Sequence, residues 1–247
     1  MWEYAILVGC DKKQCAKKIY ENLKSFSTEV LVTIHEKNNV YCITTACEDI
    51  ERFRYKNFLE ETIIDIICND YKKEFLNENL SVLGEDEIAN EAFLQALLYF
   101  DRETDRYIVA KYLQIDKQIS LDGFFNFRLK TLKDKWQELI QIANDNQIYL
   151  YSDDTFLELI KFLIDNIEFK SDVINIVEQN NKYIIMNSKF EQIEFDCKSD
   201  NIDKNFISCL IALCPKNINI YCSEIMPNNL TNLICSVFEK RVRFLTN

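Results

Sequence analysis

The sequence contains very little glycine, proline or histidine. Its 247 residues include three glycines, two prolines and one histidine, His35. Three scattered glycines cannot form the GxxxxGK[ST] or GxGxxG loops that hold nucleotide phosphates, or the GxSxG turn of serine hydrolases. Histidine-based catalysis would depend on His35, which falls at the end of a predicted hairpin strand. We therefore expect a protein that is not an enzyme, with no catalytic residues and no cofactor.

Long hydrophobic runs are missing as well. The longest, such as Leu210 to Cys214, fall far below the roughly 20 residues needed to cross a bilayer. The N-terminus, MWEYAILVGCDKK, carries Glu3 where a secretory signal would be basic. A net charge of −11 repels phosphate backbones. We expect a cytoplasmic protein without membrane insertion, and nucleic-acid binding is disfavoured.

Cysteine is abundant but lacks the spacing of a metal site. There is no C-x-x-C pair, although three pairs share one interval: Cys10 with Cys15, Cys42 with Cys47, and Cys209 with Cys214. Structural zinc sites use closer pairs and often histidines. We favour free thiols that pack as small apolar groups in a reducing compartment, and therefore no metal. A four-cysteine metal or redox site is the alternative.

The N-terminal residues predict a strand, a helix and a hairpin. The apolar run Tyr4 to Cys10 suits a buried strand, and a helix capped by Asp11 follows with apolar residues at helical spacing. Residues 30–35 and 40–45 alternate as paired strands do, and Asn38 and Asn39 between them tolerate a positive φ.

The remaining chain predicts a helical block and a second strand-containing segment. Helical period dominates from about Ile50 to Phe169, and strands return around 173–177, 183–186, 192–195, 218–222 and 242–245. The predicted class is α+β, with a central helical lobe (49–170) between a strand-helix-hairpin segment (1–48) and a C-terminal α/β segment (171–247). The terminal segments share or flank one sheet in a single domain, or they form two separate domains. No linker rich in proline, glycine or serine marks a boundary between domains.

One stretch, ISLDGFFNFRLK at residues 119–130, combines a helix start with three phenylalanines and an arginine. Ser120 is a natural N-cap. Apolar residues then step by three and four along one face, which predicts one core-facing helix with this seam: Phe125, Leu129, Leu132, Trp136, Leu139 and Ala143. We expect most of these aromatics to be core.

Gly123, Phe124, Phe127 and Arg128 are the candidate contact residues within that stretch. Gly123 allows close approach of a backbone or ligand, and Arg128 either stacks on an aromatic ring, reaches water or meets a carboxylate. Close packing with a structural ion pair is the favoured interpretation. An anion held at the helix start is the alternative.

The segment LDGFFNFRLK, followed by SDDTF and FLELIKFLI, resembles the core of the YtxC-like family of sporulation-associated proteins in endospore-forming bacteria. The later segments FISCLIALCPKNINIYC and LICSVFEKRVRF are similar to that family's C-terminal part. The resemblance covers about residues 50–245, with Gly123, Phe124, Phe127, Arg128 and more loosely Pro215 as matching positions. It implies a sporulation-associated cytosolic protein and supplies no catalytic residues.

Three functional hypotheses follow. We favour a non-enzymatic interaction or regulatory protein that binds protein partners. The first alternative is a small-ligand or nucleotide-binding protein that uses the helix start from Gly123 to Arg128. The second is a cysteine-based metal or redox protein.

Overall fold

The architecture is described from a computed structural model, which gives residues 1–81, 86–145, 153–180, 182–194, 200–221 and 226–245. The chain folds into two compact units. The first contains Met1–Asn79 and Arg102–Ile140, and the second contains Leu80–Asp101 and Gln141–Asn247. The α+β class predicted from the sequence is confirmed. The three-segment division at 48 and 170 stays a prediction.

The first unit carries a four-stranded sheet in the order β2-β3-β1-β4. Its elements are β1 (Trp2–Gly9), α1 (Lys13–Lys24), β2 (Leu31–Lys37), β3 (Val40–Cys47), α2 (Arg52–Ile66), a π-helical turn (Ile67–Tyr71), α3 (Lys72–Asn79), α5 (Arg102–Tyr112), β4 (Gln118–Ser120), α6 (Leu121–Gly123), a second π-helical turn (Phe124–Arg128) and α7 (Lys130–Asp145) up to Ile140. The end of α7, from Gln141, belongs to the second unit. The helix α4 (Glu87–Tyr99) belongs to the second unit.

Strand β1 forms the centre of the first unit because its alternate side chains are apolar. Tyr4, Ile6 and Val8 are buried on one face, where they join a core that includes residues of α1 and α2. The predicted β2-β3 hairpin is confirmed, and Asn38 and Asn39 adopt the positive φ values of 51° and 60° that its turn requires. The cap predicted for α1 is wrong: Lys12 occupies the N-cap position without a side-chain cap, and Asp11 lies in a preceding 3₁₀ turn.

Strand β4 departs from the predicted helical block. Residues 118–120 pair in parallel with β1, with Leu7 opposite Ser120. The strand is only three residues long, so it is too short to show an alternating pattern that sequence could reveal.

The second unit contains its own four-stranded sheet, in the order β6-β5-β7-β8. Its elements are α4, α8 (Asp153–Asp165), β5 (Ser171–Gln179), β6 (Lys182–Met186), α9 (Ile202–Leu213), β7 (Pro215–Ile220), α10 (Asn228–Phe238) and β8 (Val242–Phe244). Strands β5 and β6 are antiparallel, whereas β5, β7 and β8 are mutually parallel. The possibility that the terminal segments share one sheet is therefore wrong, because the N-terminal and C-terminal strands belong to different sheets.

Local signals position the ends of the second-unit strands. Asn180 takes a φ of 54° after β5, as expected for the Asn-rich hairpin, whose Asn181 lies outside the described residues. Cys214 ends α9 with a φ of 34°, and Pro215 begins β7. In place of the strand predicted at 192–195, the structure has one isolated bridge between Met186 and Gln192, and Phe195 lies outside the described range.

Candidate functional site

The candidate site lies where β1 and β4 end side by side. Because the two strands are parallel, the chain leaves both at the same edge of the sheet, β1 at Gly9 and β4 at Ser120. Such an edge, outside the carboxyl ends of parallel strands, is where α/β folds commonly place binding residues. The stretch singled out in the sequence begins there.

Asp122 accepts two hydrogen bonds at this edge of the sheet. One carboxylate oxygen accepts a hydrogen bond from the Gly9 amide at 2.8 Å, and the other accepts one from the Tyr71 hydroxyl at 2.9 Å. Burial, reinforced by the negative charge of Asp122, raises the pKa of Tyr71, so its hydroxyl remains a donor. The carboxylate thus fixes the start of the second π-helical turn against both β1 and the first π-helical turn.

Ser120 and Gly123 form a tight N-cap. The Gly123 amide donates to the Ser120 side-chain oxygen at 3.2 Å, as the sequence predicted for Ser120. A β carbon on Gly123 would lie 3.2 Å from that same oxygen, so glycine permits the close approach. This amide already has a partner, which leaves it less suited to holding an anion.

The phenylalanines of the π-helical turn face different surroundings. Phe124 and Phe125 are buried, and Phe125 packs against Tyr71 with ring centroids 5.1 Å apart and against Trp136 at 6.0 Å. Phe127 is 84% exposed. Arg128 is also exposed and has no ion pair or hydrogen bond within the described part of the chain. The ion pair favoured for Arg128 is therefore not formed with any residue that the structure describes.

The seam along α7 holds only in part. Of the predicted seam, these residues are buried: Phe125, Leu129, Leu132, Trp136 and Ala143. Leu139 is only half-buried, and Ile140 takes its place in the core. The replacement follows from geometry, because a straight helix of 3.6 residues per turn drifts away from a strict seven-residue repeat. The single predicted helix is also wrong, since the π-helical turn and a non-helical Leu129 (φ −102°, ψ 32°) precede α7.

The four candidate contact residues all line one open groove of about 390 Å³. Its lining comprises Tyr112, Gln114, Asp116, Gln118, Ile119, Ser120, Gly123, Phe124, Phe127 and Arg128. The aromatic rings and the guanidinium group suit contacts with a partner that offers apolar and acidic side chains. We call this surface the β4 groove.

A second hollow of about 480 Å³ lies at the end of β1. Asp11, Glu74, Glu78 and Asp122 give it an acidic lining. Lys12 offsets part of that charge through its salt bridge to Glu74 and lies over the Tyr71 ring, 5.0 Å from its centroid. These contacts tie the turn after β1 to the first π-helical turn and to α3.

Comparison with known protein families gives a clear result. A model of the YtxC-like family matches residues 50–243, which is most of the chain. The chain belongs to the YtxC-like family. The resemblance inferred from LDGFFNFRLK and the later segments is thereby confirmed. No curated protein and no solved structure matches this chain.

None of the described cysteines of this YtxC-like protein lines the β4 groove. Burial raises the pKa of Cys15, Cys68 and Cys209 to about 12, which disfavours the reactive thiolate form. Among residues whose placement is described, no group of three or more metal-ligating side chains converges. Cys197 and Cys222 lie outside those residues. Within the same limits, no helix is long and apolar enough to span a bilayer.

Sequence reasoning missed a buried charge cluster in this YtxC-like protein. Asp105 accepts hydrogen bonds from Lys72 at 2.7 Å, Lys135 at 2.8 Å and the Trp136 indole at 3.0 Å. The side chains of Lys72 and Asp105 are each 1% exposed. Burial lowers the pKa of Lys72, and Asp105 acts against that lowering. Partners 30 or more residues apart leave no local signal in the sequence.

Proposed function

We propose that this YtxC-like protein is a non-enzymatic interaction protein of the sporulation programme, which binds a protein partner through the β4 groove. The sporulation context is supported by membership of the YtxC-like family. The contact surface is supported by the groove that Gly123, Phe124, Phe127 and Arg128 line together. A cytoplasmic location, as expected from the sequence, is part of the proposal.

The observation that carries the proposal is the exposure of Phe127. The same π-helical turn buries Phe124 and Phe125 and leaves Phe127 84% exposed. Burying a phenylalanine side chain contributes about 2 kcal/mol, a gain that the folded chain leaves available to a partner. Aromatic residues, phenylalanine among them, and arginine are enriched in the buried cores of protein interfaces.

Arg128 gives this surface a charged group that can contact an acidic side chain. Its guanidinium group has no carboxylate partner within the described ranges, so it can form a two-pronged contact with an acidic side chain of the partner. The net charge of −11 disfavours acidic partners in general. Specificity would therefore depend on the local position of Arg128.

Affinity capture from sporulating cells tests the proposal. The baits are the wild-type protein, Phe127→Ala, Arg128→Ala and the matched control Phe53→Ala, which removes another exposed phenylalanine (78% exposed) from the same unit. We expect partner recovery to fall about 30-fold for Phe127→Ala, the equivalent of about 2 kcal/mol. Phe53→Ala should recover the partner as the wild type does.

Thermal unfolding of all four proteins controls for folding. The three substituted side chains are exposed, so unfolding temperatures should agree within a few degrees. Recovery of identical partners in equal amounts by Phe127→Ala, Arg128→Ala and the wild type would contradict the proposal.

A further inference from the structure

Strand β4 lies at an open edge of its sheet. In the order β2-β3-β1-β4 it has β1 on one side and, among the described residues, no strand on the other. An open edge presents unpaired backbone N–H and C=O groups that can pair with another extended chain. Gln118 and Ser120 on this strand are exposed, whereas Ile119 is buried.

The hydrogen bonding between β4 and β1 shows which backbone groups of β4 face away from β1. The Ala5 amide donates to the Lys117 carbonyl at 3.0 Å, and Ala5 is aligned with Gln118. In a parallel ladder this places Ala5 between residues 117 and 119, so the N–H and C=O of Gln118 point away from β1. The open side of β4 therefore offers one donor and one acceptor at Gln118.

The β4 groove lies on this open side. Its lining includes all three residues of β4 and none of β1. Phe127, 84% exposed, and Tyr112, 42% exposed, supply aromatic walls beside the unpaired edge. Arg128 and Asp116 supply one charge of each sign, and neither has an ion-pair partner within the described residues.

We propose that an extended peptide segment of a partner protein adds to the sheet as a fifth strand beside β4. This inference rests on the proposed function and specifies its binding mode. Main-chain hydrogen bonds to Gln118 supply register, and an apolar side chain of the peptide packs against Phe127 and Tyr112. A carboxylate on the peptide meets Arg128, and a basic side chain meets Asp116. The occupant is thus an extended segment with an apolar residue and charges of both signs.

The test uses a random 12-residue peptide library displayed on phage and selected on the wild-type protein. Enriched peptides are synthesised, and their dissociation constants are measured on the wild type, Gln118→Pro, Gln118→Ala, Phe127→Ala and Phe53→Ala. Proline at position 118 removes the N–H that faces away from β1 and leaves the ladder to β1 intact, which edge strands tolerate. Circular dichroism and thermal unfolding verify the fold of each variant.

We expect Gln118→Pro to weaken binding at least tenfold and Gln118→Ala to change it less than threefold, because the backbone rather than the side chain makes the contact. Phe127→Ala should also weaken binding, and Phe53→Ala should not. In the wild type, the peptide should slow hydrogen exchange of the Gln118 amide. This last measurement stands even if Gln118→Pro does not fold.

Three results would overturn the inference. The first is the absence of any peptide enriched above background. The second is binding that Phe127→Ala weakens but that leaves Gln118→Pro affinity and Gln118 exchange unchanged; the groove would then bind a partner without strand addition, and the proposed function would survive. The third is self-association of the wild type that Gln118→Pro abolishes, which would make a second copy of the chain the occupant.

Discussion

Replacing Asp105 with asparagine should destabilise the first unit strongly. Asp105 accepts hydrogen bonds from Lys72, Lys135 and Trp136, and it and Lys72 are almost completely buried. Asparagine keeps the size and one acceptor oxygen but removes the negative charge. Lys135, 24% exposed, can turn to water, whereas Lys72 would stay buried and lose the carboxylate that lies 2.7 Å from its ammonium group.

The size of the stability loss depends on whether Lys72 keeps its proton in the variant. Losing one partner of a buried ion pair typically costs about 3–5 kcal/mol. Lys72 can limit the cost by losing its proton, which from an ordinary lysine pKa of about 10.4 costs about 4.6 kcal/mol at pH 7 and about 1.9 kcal/mol at pH 9. We therefore expect a loss of about 3–5 kcal/mol at pH 7 that shrinks by about 2–3 kcal/mol at pH 9.

The sign of this pH dependence is fixed by proton linkage. In Asp105→Asn the folded state would hold Lys72 neutral, while the unfolded state keeps it protonated up to about pH 10.4. The unfolded state then binds more protons, so the stability of the variant rises with pH relative to the wild type. In the wild type, Asp105 acts to retain the proton.

Urea unfolding at pH 7 and pH 9 measures both quantities, and urea is preferable to guanidinium because it does not screen charge. The double variant Asp105→Asn with Lys72→Met should regain most of the lost stability, because the buried ammonium group that lost this carboxylate is no longer present. A loss below 1 kcal/mol, or an equal loss at both pH values, would show that Lys72 is already neutral in the native protein and would refute the reasoning.

The remaining predictions concern thiols and the edge of the sheet. With iodoacetamide at pH 8, exposed Cys10 should be alkylated first and Cys68 and Cys209 last, because burial raises the pKa of Cys68 and Cys209 to about 12. Peptide mass spectrometry measures the alkylation rate of each thiol, and equal rates would contradict this prediction. Above about pH 9, Cys68 and Cys209 lose their protons in the unfolded chain but keep them in the folded protein. The free energy of unfolding should therefore fall by up to about 1.4 kcal/mol per pH unit for each of these two thiols, which thermal unfolding can measure. Asp122→Ala should cost about 2–3 kcal/mol in urea unfolding, because it leaves two donors unpaired, and Tyr71→Phe about 1 kcal/mol. Equal stability of Asp122→Ala and the wild type would show that the carboxylate does not hold the sheet edge.

Local patterns predicted the elements that are local in origin. The apolar run of β1, the Asn38-Asn39 turn and the Ser120 cap each depend on neighbouring residues, and each is present. The apolar spacing also predicted the buried face of α7 except at Leu139, whose place Ile140 takes. Such features are readable because their periods and turn residues are set within a few positions of the chain.

Long-range pairing accounts for what the sequence did not reveal. Strand β4 becomes a strand only by pairing with β1, more than 100 residues earlier, and Asp105 gains its role from lysines 33 and 30 residues away. The four candidate contact residues could be named from one motif, but the groove that they line also includes Tyr112 and Gln118 from other elements.

The interleaving of the two units has a consequence for synthesis on the ribosome. Helix α4 belongs to the second unit, and its Phe93 packs against Phe156, with ring centroids 5.4 Å apart, and its Glu91 accepts a hydrogen bond from Ser208. At a translation rate of about 5–20 residues per second, α4 emerges several seconds before these contacts exist. The nascent chain must therefore carry an apolar helix without its packing partners while the first unit is being completed, and this interval is where a chaperone would be needed.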